Sequence, residues 1–287
     1  MCIRMTTNIL ITGAGGFLGK HLIKHLSKNK GEYNIYCTCR SSLKFNNLVV
    51  LAKNVNPEVK IFNVDITCGM DILRLKQHII DNKIEYIIHC AAMKYMDIAE
   101  IEPSKTINTN IIGTLNLIRI AKETNIKNII ALSTDKAIDP INVYGSTKYL
   151  MEKIIIEAGY SNYQGVNFFW SDGSVLDIWY NQMKKNKRLF VTNFEQSRYY
   201  ITNDIVCEDI INNLDTKGTT LVPKMVTKIS LKQLYESFSE YFNYNDFDIL
   251  GARNNEKTIE KISDDSEVYN PNKEEIMKMI DETIKYM

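Results

Sequence analysis

"NILITGAGGFLGKHLIKHLSK", Asn8 to Lys28, decides the reading of the whole chain. Asn8–Thr12 is a short apolar run of strand type, and Phe17–Ser27 carries apolar residues at helical spacing. Between them stand Gly13, Gly16 and Gly19, a G-x-x-G-x-x-G loop. Such a loop between a strand and a helix lets backbone approach a pyrophosphate, which sits on the N–H groups that open the helix at Phe17 and Leu18.

The pattern continues outward. "YNIYCTC", "VKIFNV", "EYIIHC" and "KNIIALS" are further near-continuous apolar runs, separated by longer amphipathic stretches. Strands with both faces covered read this way, and the alternation predicts a doubly wound α/β fold with a parallel sheet. Pro103 is placed for the first turn of a long helix, and a second helix runs from Tyr144 to about Ala158. Beyond Gly159 the alternation fades, and "LFVTN", "TTLVP" and "DFDILG" read as short strands among helices such as Leu231–Phe242. Residues 1–160 are expected to form the cofactor domain and carry the catalytic residues. Residues 161–287 are expected to form mainly a smaller, partly interleaved lobe.

Composition narrows the function. The 287 residues are 45% hydrophobic and 24% charged, enough for one large core with an appended lobe. A formal net charge of +1 gives no overall field toward nucleic acid or anionic membrane. No run approaches the roughly 20 apolar residues of a membrane span. Six cysteines without a C-x-x-C pair read as reduced thiols in a cytoplasmic protein. His21 and His25 lack the partners a metal site needs, so no metal is expected.

The end of the second strand selects the dinucleotide. An acidic residue there suits the ribose of NAD, whereas arginine accommodates the extra phosphate of NADP. Arg40, Ser41, Ser42 and Lys44 stand there with no carboxylate, which favours NADP over NAD. Asp65, after the third strand, is a candidate for the adenine amine or for a turn cap.

"LSTDKAIDPINVYGSTK", Leu132 to Lys148, carries the chemistry. Tyr144 and Lys148 stand four apart on one helix face, where the lysine's charge can stabilise a tyrosinate and make Tyr144 a base. Asp135 and Lys136 add an acid beside a base, a cluster expected of a functional site.

Together with "IIHCAAMKYMDIAEIEPSKTINTNIIGT", "SDGSV", "RYYIT", "LVPKM" and "RNNEK", these segments run in order over nearly the whole chain. The chain resembles the extended short-chain dehydrogenases/reductases, and more narrowly the inverting UDP-N-acetylglucosamine 4,6-dehydratases. That resemblance implies a Rossmann-type fold, a UDP-sugar substrate and a homo-oligomer, a dimer or larger. It implies that Tyr144 takes the 4-hydroxyl proton as hydride leaves carbon 4, that Lys136 removes the carbon 5 proton, and that Asp135 protonates the departing 6-hydroxyl before hydride returns to carbon 6. Thr134 is then expected to bond the sugar, with Lys94 near sugar and cofactor. The resemblance likewise implies that Ala91, Ala92, Asn110 and Asn167 line the cofactor. Asn167, Ser174, Arg198, Pro223, Lys224, Arg253 and Glu256 are expected on the substrate.

Two elements depart from the family pattern. "YSNYQGVNFFWSDGSV" keeps Asn167 but loses the arginine, tyrosine and glycine of the family's "RYGNV", and "RNNEK" replaces "RPGEK". The alternatives are a UDP-hexose 4-epimerase, a UDP-glucose 4,6-dehydratase, or a catalytically inactive NADP-binding regulatory protein. Asp135-Lys136 speaks against simple epimerisation, which needs no such pair.

Overall fold

Apolar runs bounded by polar turns become buried strands, and the amphipathic stretches between them become helices. The computed structural model describes residues 6–29, 31–251 and 257–285. In chain order these begin with β1 (Thr7–Thr12), α1 (Phe17–Lys28), β2 (Tyr33–Cys39), α2 (Ser42–Val55), β3 (Lys60–Asn63), α3 (Gly69–Asp81) and β4 (Tyr86–His89). There follow α4 (Met96–Ile101), α5 (Pro103–Ile107), a π-helical turn at Asn108–Ile112, α6 (Gly113–Lys122), β5 (Asn128–Thr134), a 3-10 turn at Asp135–Ala137, α7 (Val143–Glu157) and β6 (Ser161–Gly165). The remainder comprises β7 (Asn167–Phe168), α8 (Val175–Met183), β8 (Leu189–Val191), β9 (Ser197–Ile201), α9 (Asn203–Asn212), β10 (Thr220–Leu221), β11 (Met225–Ser230), α10 (Leu231–Phe242), β12 (Phe247–Ile249), β13 (Glu267–Tyr269) and α11 (Lys273–Ile284).

Two compact units result: residues up to Gln164 with Asn203–Leu221, and Gly165–Thr202 with the chain from Val222 onward. The first holds a seven-stranded sheet in the order β3-β2-β1-β4-β5-β6-β10. The strands from β3 to β5 pair in parallel, as do β6 and β10. Chain order reverses between β1 and β4, the switch point outside whose carboxyl ends ligands bind in such sheets. Leu10, Ile87 and Ile129, each fully buried on β1, β4 and β5, pack with Leu75, Leu117, Met151 and Ile155 of α3, α6 and α7.

The first unit runs to Gln164 and also takes in Asn203–Leu221. "TTLVP" supplies β10 to the first sheet, because buried polar groups capture the returning segment. Asn128 donates its amide to the carbonyls of Leu214 and Thr216, and Ser161 donates its hydroxyl to Thr216. The expected single helix from Pro103 is interrupted at Asn108–Ile112 by the π-turn.

The second unit is built on a four-stranded sheet in the order β13-β11-β9-β7, with β8 and β12 paired separately. Its core is aromatic: Phe169, Trp170, Trp179 and Phe238 pack with Ile276 and Ile280. Trp179 and Phe238 meet edge to face with ring centres 5.6 Å apart. Trp170, within the segment that departs from the family pattern, takes a left-handed φ of 58° and is buried against Phe238 and Phe242. A bulky residue there is strained by about 1–2 kcal/mol, which burying its ring offsets. Among the described residues no helix is long and apolar enough to cross a membrane.

Candidate active site

Thr12 ends β1 and Phe17 opens α1, so the glycine loop lies at the switch point. Gly13 has a φ of 64°, and a Cβ on it would stand 2.6 Å from Ala91 Cα. Only glycine lets the loop cross the end of β4 so closely. Gly16 caps α1 without a side-chain hydrogen bond, and no acidic residue stands in the first turn at Phe17 and Leu18. The helix therefore keeps its positive end, and Gly19 packs its backbone onto Ala14. This cradle fits a dinucleotide pyrophosphate.

At the end of β2, Arg40 Nη1 lies 3.4 Å from Asp65 Oδ2, so the two residues expected at the adenosine end hold each other. Asp65 also caps its own turn, accepting from the Thr67 amide at 2.9 Å and hydroxyl at 2.7 Å. Burial pushes the Asp65 carboxyl up, but these bonds and the guanidinium outweigh it and leave the carboxyl below its ordinary range. Ser41 caps α2 by accepting from the Lys44 amide, and no acidic residue occupies that first turn. Arg40 and Lys44 thus flank an uncompensated helix N-terminus.

Ala91 and Ala92 are half-buried after β4, and Lys94 is exposed with its ammonium 5.2 Å from the Tyr95 ring centre. The loop is fixed by Asn110, in the π-turn. Its buried amide accepts from the Met93 N–H at 2.8 Å, donates to the Met93 carbonyl at 3.2 Å, and donates to the Thr147 hydroxyl at 3.0 Å. Thr147 in turn donates to the Tyr144 carbonyl at 2.9 Å. Asn110 thereby joins the β4 loop to the helix that carries the tyrosine. A π-turn pushes one residue out of helical register, a device common at functional sites.

At the carboxyl end of β5, Asp135 is 2% exposed. Its Oδ1 accepts from the Thr134 hydroxyl at 2.9 Å and from the Lys136 ammonium at 3.1 Å. Asn142 caps α7 by accepting from the Gly145 amide at 2.8 Å. A Cβ at Gly145 would collide with the Lys136 carbonyl oxygen, so the first turn of α7, with Tyr144, lies directly against the Asp-Lys turn. Lys148 is buried and donates to the Leu132 carbonyl on β5, with Met151 Sδ 3.1 Å away. The bond to Leu132 anchors α7 to the sheet. Burial lowers the Lys148 amine to about 8, against the opposing pull of Glu152 and Cys90.

In the second unit, Asn167 donates to the Tyr199 carbonyl and to Glu260 Oε2, both at 3.0 Å. Arg198 Nε lies 3.5 Å from the other oxygen of this buried carboxylate, and its Nη1 donates to the carbonyls of Ser197 and Thr258. Ser174 caps α8, Pro223 is buried and accepts at its carbonyl from the Ser266 hydroxyl, and Lys224 is exposed. Arg253 and Glu256 lie outside the described residues. Among the described residues no cluster could hold a metal ion.

Gly145, Thr147 and Glu260 were not singled out in the sequence. Gly145 and Thr147 stand inside the quoted "YGSTK" and could have been found by asking what a helix start beside Lys136 must avoid. Glu260 offers no local signal, lying 93 residues from the amide it accepts.

Gly145→Ala should force α7 away from Lys136 and lower the unfolding free energy by about 1–3 kcal/mol, read by urea denaturation. Lys148 supplies a pH signature. Folded it loses its proton near 8 and unfolded near 10.5, so the unfolded chain binds more protons between those values and stability rises with pH across that window. The rise amounts to roughly 3 kcal/mol. Lys148→Met should remove it, seen by comparing urea midpoints of the two proteins from about pH 8 to about pH 10.

The family of polysaccharide biosynthesis proteins matches residues 9–282. An inverting UDP-N-acetylglucosamine 4,6-dehydratase of Campylobacter jejuni is 32% identical over 90% of this chain and 78% of its own. A UDP-glucose 4-epimerase of Rickettsia bellii is 28% identical over 91% of this chain and 78% of its own. The crystal structure of the dTDP-glucose 4,6-dehydratase DesIV of Streptomyces venezuelae, with NAD and TYD bound, superposes with a TM-score of 0.79 at 15% identity, covering 90% of this chain and 88% of that one. The fold is therefore the Rossmann-type fold of the short-chain dehydrogenases/reductases, and the chain belongs to the polysaccharide biosynthesis protein family, with inverting UDP-N-acetylglucosamine 4,6-dehydratases among its relatives.

Proposed function

We propose that this chain is an NADP-dependent UDP-N-acetylglucosamine 4,6-dehydratase that inverts carbon 5 and yields a UDP-2-acetamido-2,6-dideoxy-4-keto-hexose for deoxy-amino-sugar glycans. The observation that carries the reading is the contact at 3.1 Å between the buried Asp135 carboxylate and the half-buried Lys136 ammonium, beside the start of the Tyr144 helix.

The proton count of that pair suits an elimination. An ammonium-carboxylate pair holds the same number of protons as an amine beside a carboxylic acid, so one transfer along the contact yields a neutral base and a neutral acid. Lys136 then removes the carbon 5 proton, and Asp135 gives its proton to the departing 6-hydroxyl as water. Both residues end as the ion pair; as hydride returns to carbon 6, carbon 5 takes up a solvent-derived proton on its opposite face, and Tyr144 releases its proton to solvent. Tyr144 takes the 4-hydroxyl proton beforehand, and the resulting 4-ketone acidifies carbon 5. Thr134, already bonded to Asp135, orients that carboxylate and meets the sugar.

The glycine loop, Ala91, Ala92, Lys94, Asn110 and Asn167 are assigned to the dinucleotide, which supplies a hydride acceptor and donor when bound. NADP over NAD is supported by Arg40 and Lys44 beside the capped α2 terminus. The exposed Arg40-Asp65 pair is worth about 0–1 kcal/mol, little against a phosphate contact. Lys224, Ser174, Pro223, Arg198, Arg253 and Glu256 are assigned to the UDP-sugar. Exposed apolar residues on α6 and α7, Leu115, Tyr149 and Leu150, support a homo-oligomer built on these helices.

A 4-epimerase is the second reading, because relatives such as the Rickettsia protein carry that name. Incubating the protein with UDP-N-acetylglucosamine and NADP in deuterated water separates the two. Dehydration with inversion gives loss of one water, deuterium at carbon 5 and a new methyl signal by NMR and mass spectrometry. Asp135→Asn and Lys136→Ala should each slow it by at least about 100-fold. No product from this donor or from UDP-glucose would sink the dehydratase assignment.

A further inference from the structure

His89 ends β4 in the middle of the sheet, in register with Thr12 of β1 on one side and Ala131 of β5 on the other. Its ring is 2% exposed, and the proposed reaction makes no use of it. A buried imidazole must satisfy both nitrogens. Nδ1 lies 2.7 Å from the Thr12 hydroxyl and Nε2 lies 3.1 Å from the Thr114 hydroxyl.

The direction of these bonds follows from counting protons. Thr114 has one hydroxyl proton and donates it to the Asn110 carbonyl at 2.7 Å. It can only accept from His89, which places the ring proton on Nε2 and leaves Nδ1 an acceptor. Thr12 must then donate to Nδ1. Beyond Asn110 the same residue's amide donates to Thr147, and Thr147 donates to the Tyr144 carbonyl. Every polar link from the end of β1 to the tyrosine has its donor assigned.

We propose that His89, as the neutral Nε2–H tautomer, is a positioning residue that ties the strand end where the glycine loop begins to the Asn110 turn and, through Thr147, to Tyr144. This rests on the reading of Tyr144 as the proton-transfer residue. An imidazolium would lose the Nδ1 acceptor and set Thr12 against a second donor. Burial, reinforced by the positive charge of Lys148, lowers the ring to about 3 and keeps it neutral under ordinary conditions. The arrangement gives the fold a cross-strap at the switch point, set between the sheet and the helix that bears Asn110.

The test uses the full chain. Long-range proton-nitrogen correlations on protein labelled at histidine nitrogens report the tautomer without substrate. The proposal requires one ring with a protonated Nε2 and an unprotonated Nδ1, absent from His89→Leu. The ring-carbon resonance bearing the Tyr144 hydroxyl, assigned with Tyr144→Phe, should move in His89→Leu and return toward its original place in His89→Gln, whose amide can both donate and accept. With UDP-N-acetylglucosamine and NADP saturating, His89→Leu should lose at least about tenfold in kcat with KM nearly unchanged, and His89→Gln should recover most of it. An Nδ1–H ring, or an unmoved Tyr144 resonance in a folded His89→Leu, would overturn the proposal. If His89→Leu does not fold, the wild-type tautomer and the His89→Gln resonance decide. A wild-type protein inactive on every donor would refute the dehydratase reading alone, since the NMR arms need no turnover.

Discussion

The buried amide of Asn110 is the constraint on which the rest of the site depends. One side chain satisfies both backbone groups of Met93 and reaches Thr147, so three segments that chain order keeps apart are held by bonds of 2.8 to 3.2 Å. Buried polar groups left without partners cost about 1–3 kcal/mol each. Separating the β4 loop from α7 would orphan several at once. Polar satisfaction in the core therefore ties the first turn of α7, which carries Tyr144, to the β4 loop.

Steric demands complete the arrangement. Gly13 lets the first loop pass over Ala91, and Gly145 lets α7 start against the Lys136 carbonyl. Lys148 pins the same helix to β5 from inside, with Glu152 one turn further on accepting from Gln164 at 3.0 Å. In the second unit, Glu260 does for Asn167 and Arg198 what Asn110 does in the first, holding both with one buried carboxylate.

Much of this was legible in the sequence, for physical reasons. β1, β4 and β5 are buried on both faces and so read as unbroken apolar runs. The glycine loop and the Asp135–Lys148 segment are local, so both stand out within short windows of the sequence. The π-turn was not legible, since its residues continue the helical spacing of their neighbours. Nor was the return of Thr220–Leu221 to the first sheet, because a two-residue strand has no periodicity and its place is set by Asn128 and Ser161. The acceptor of Lys148 and the partner of Arg198 depend on tertiary contacts that no short window contains.

In the proposed reaction, Asp135 and Lys136 divert a 4-keto sugar into elimination. The most direct test is to turn over UDP-N-acetylglucosamine carrying deuterium at carbon 4 in ordinary water and locate the label by deuterium NMR. Elimination followed by hydride return places it in the carbon 6 methyl of a 4-keto product. A label still on carbon 4, in a sugar inverted at that centre, would contradict the account and make the Asp-Lys pair a bystander to epimerisation.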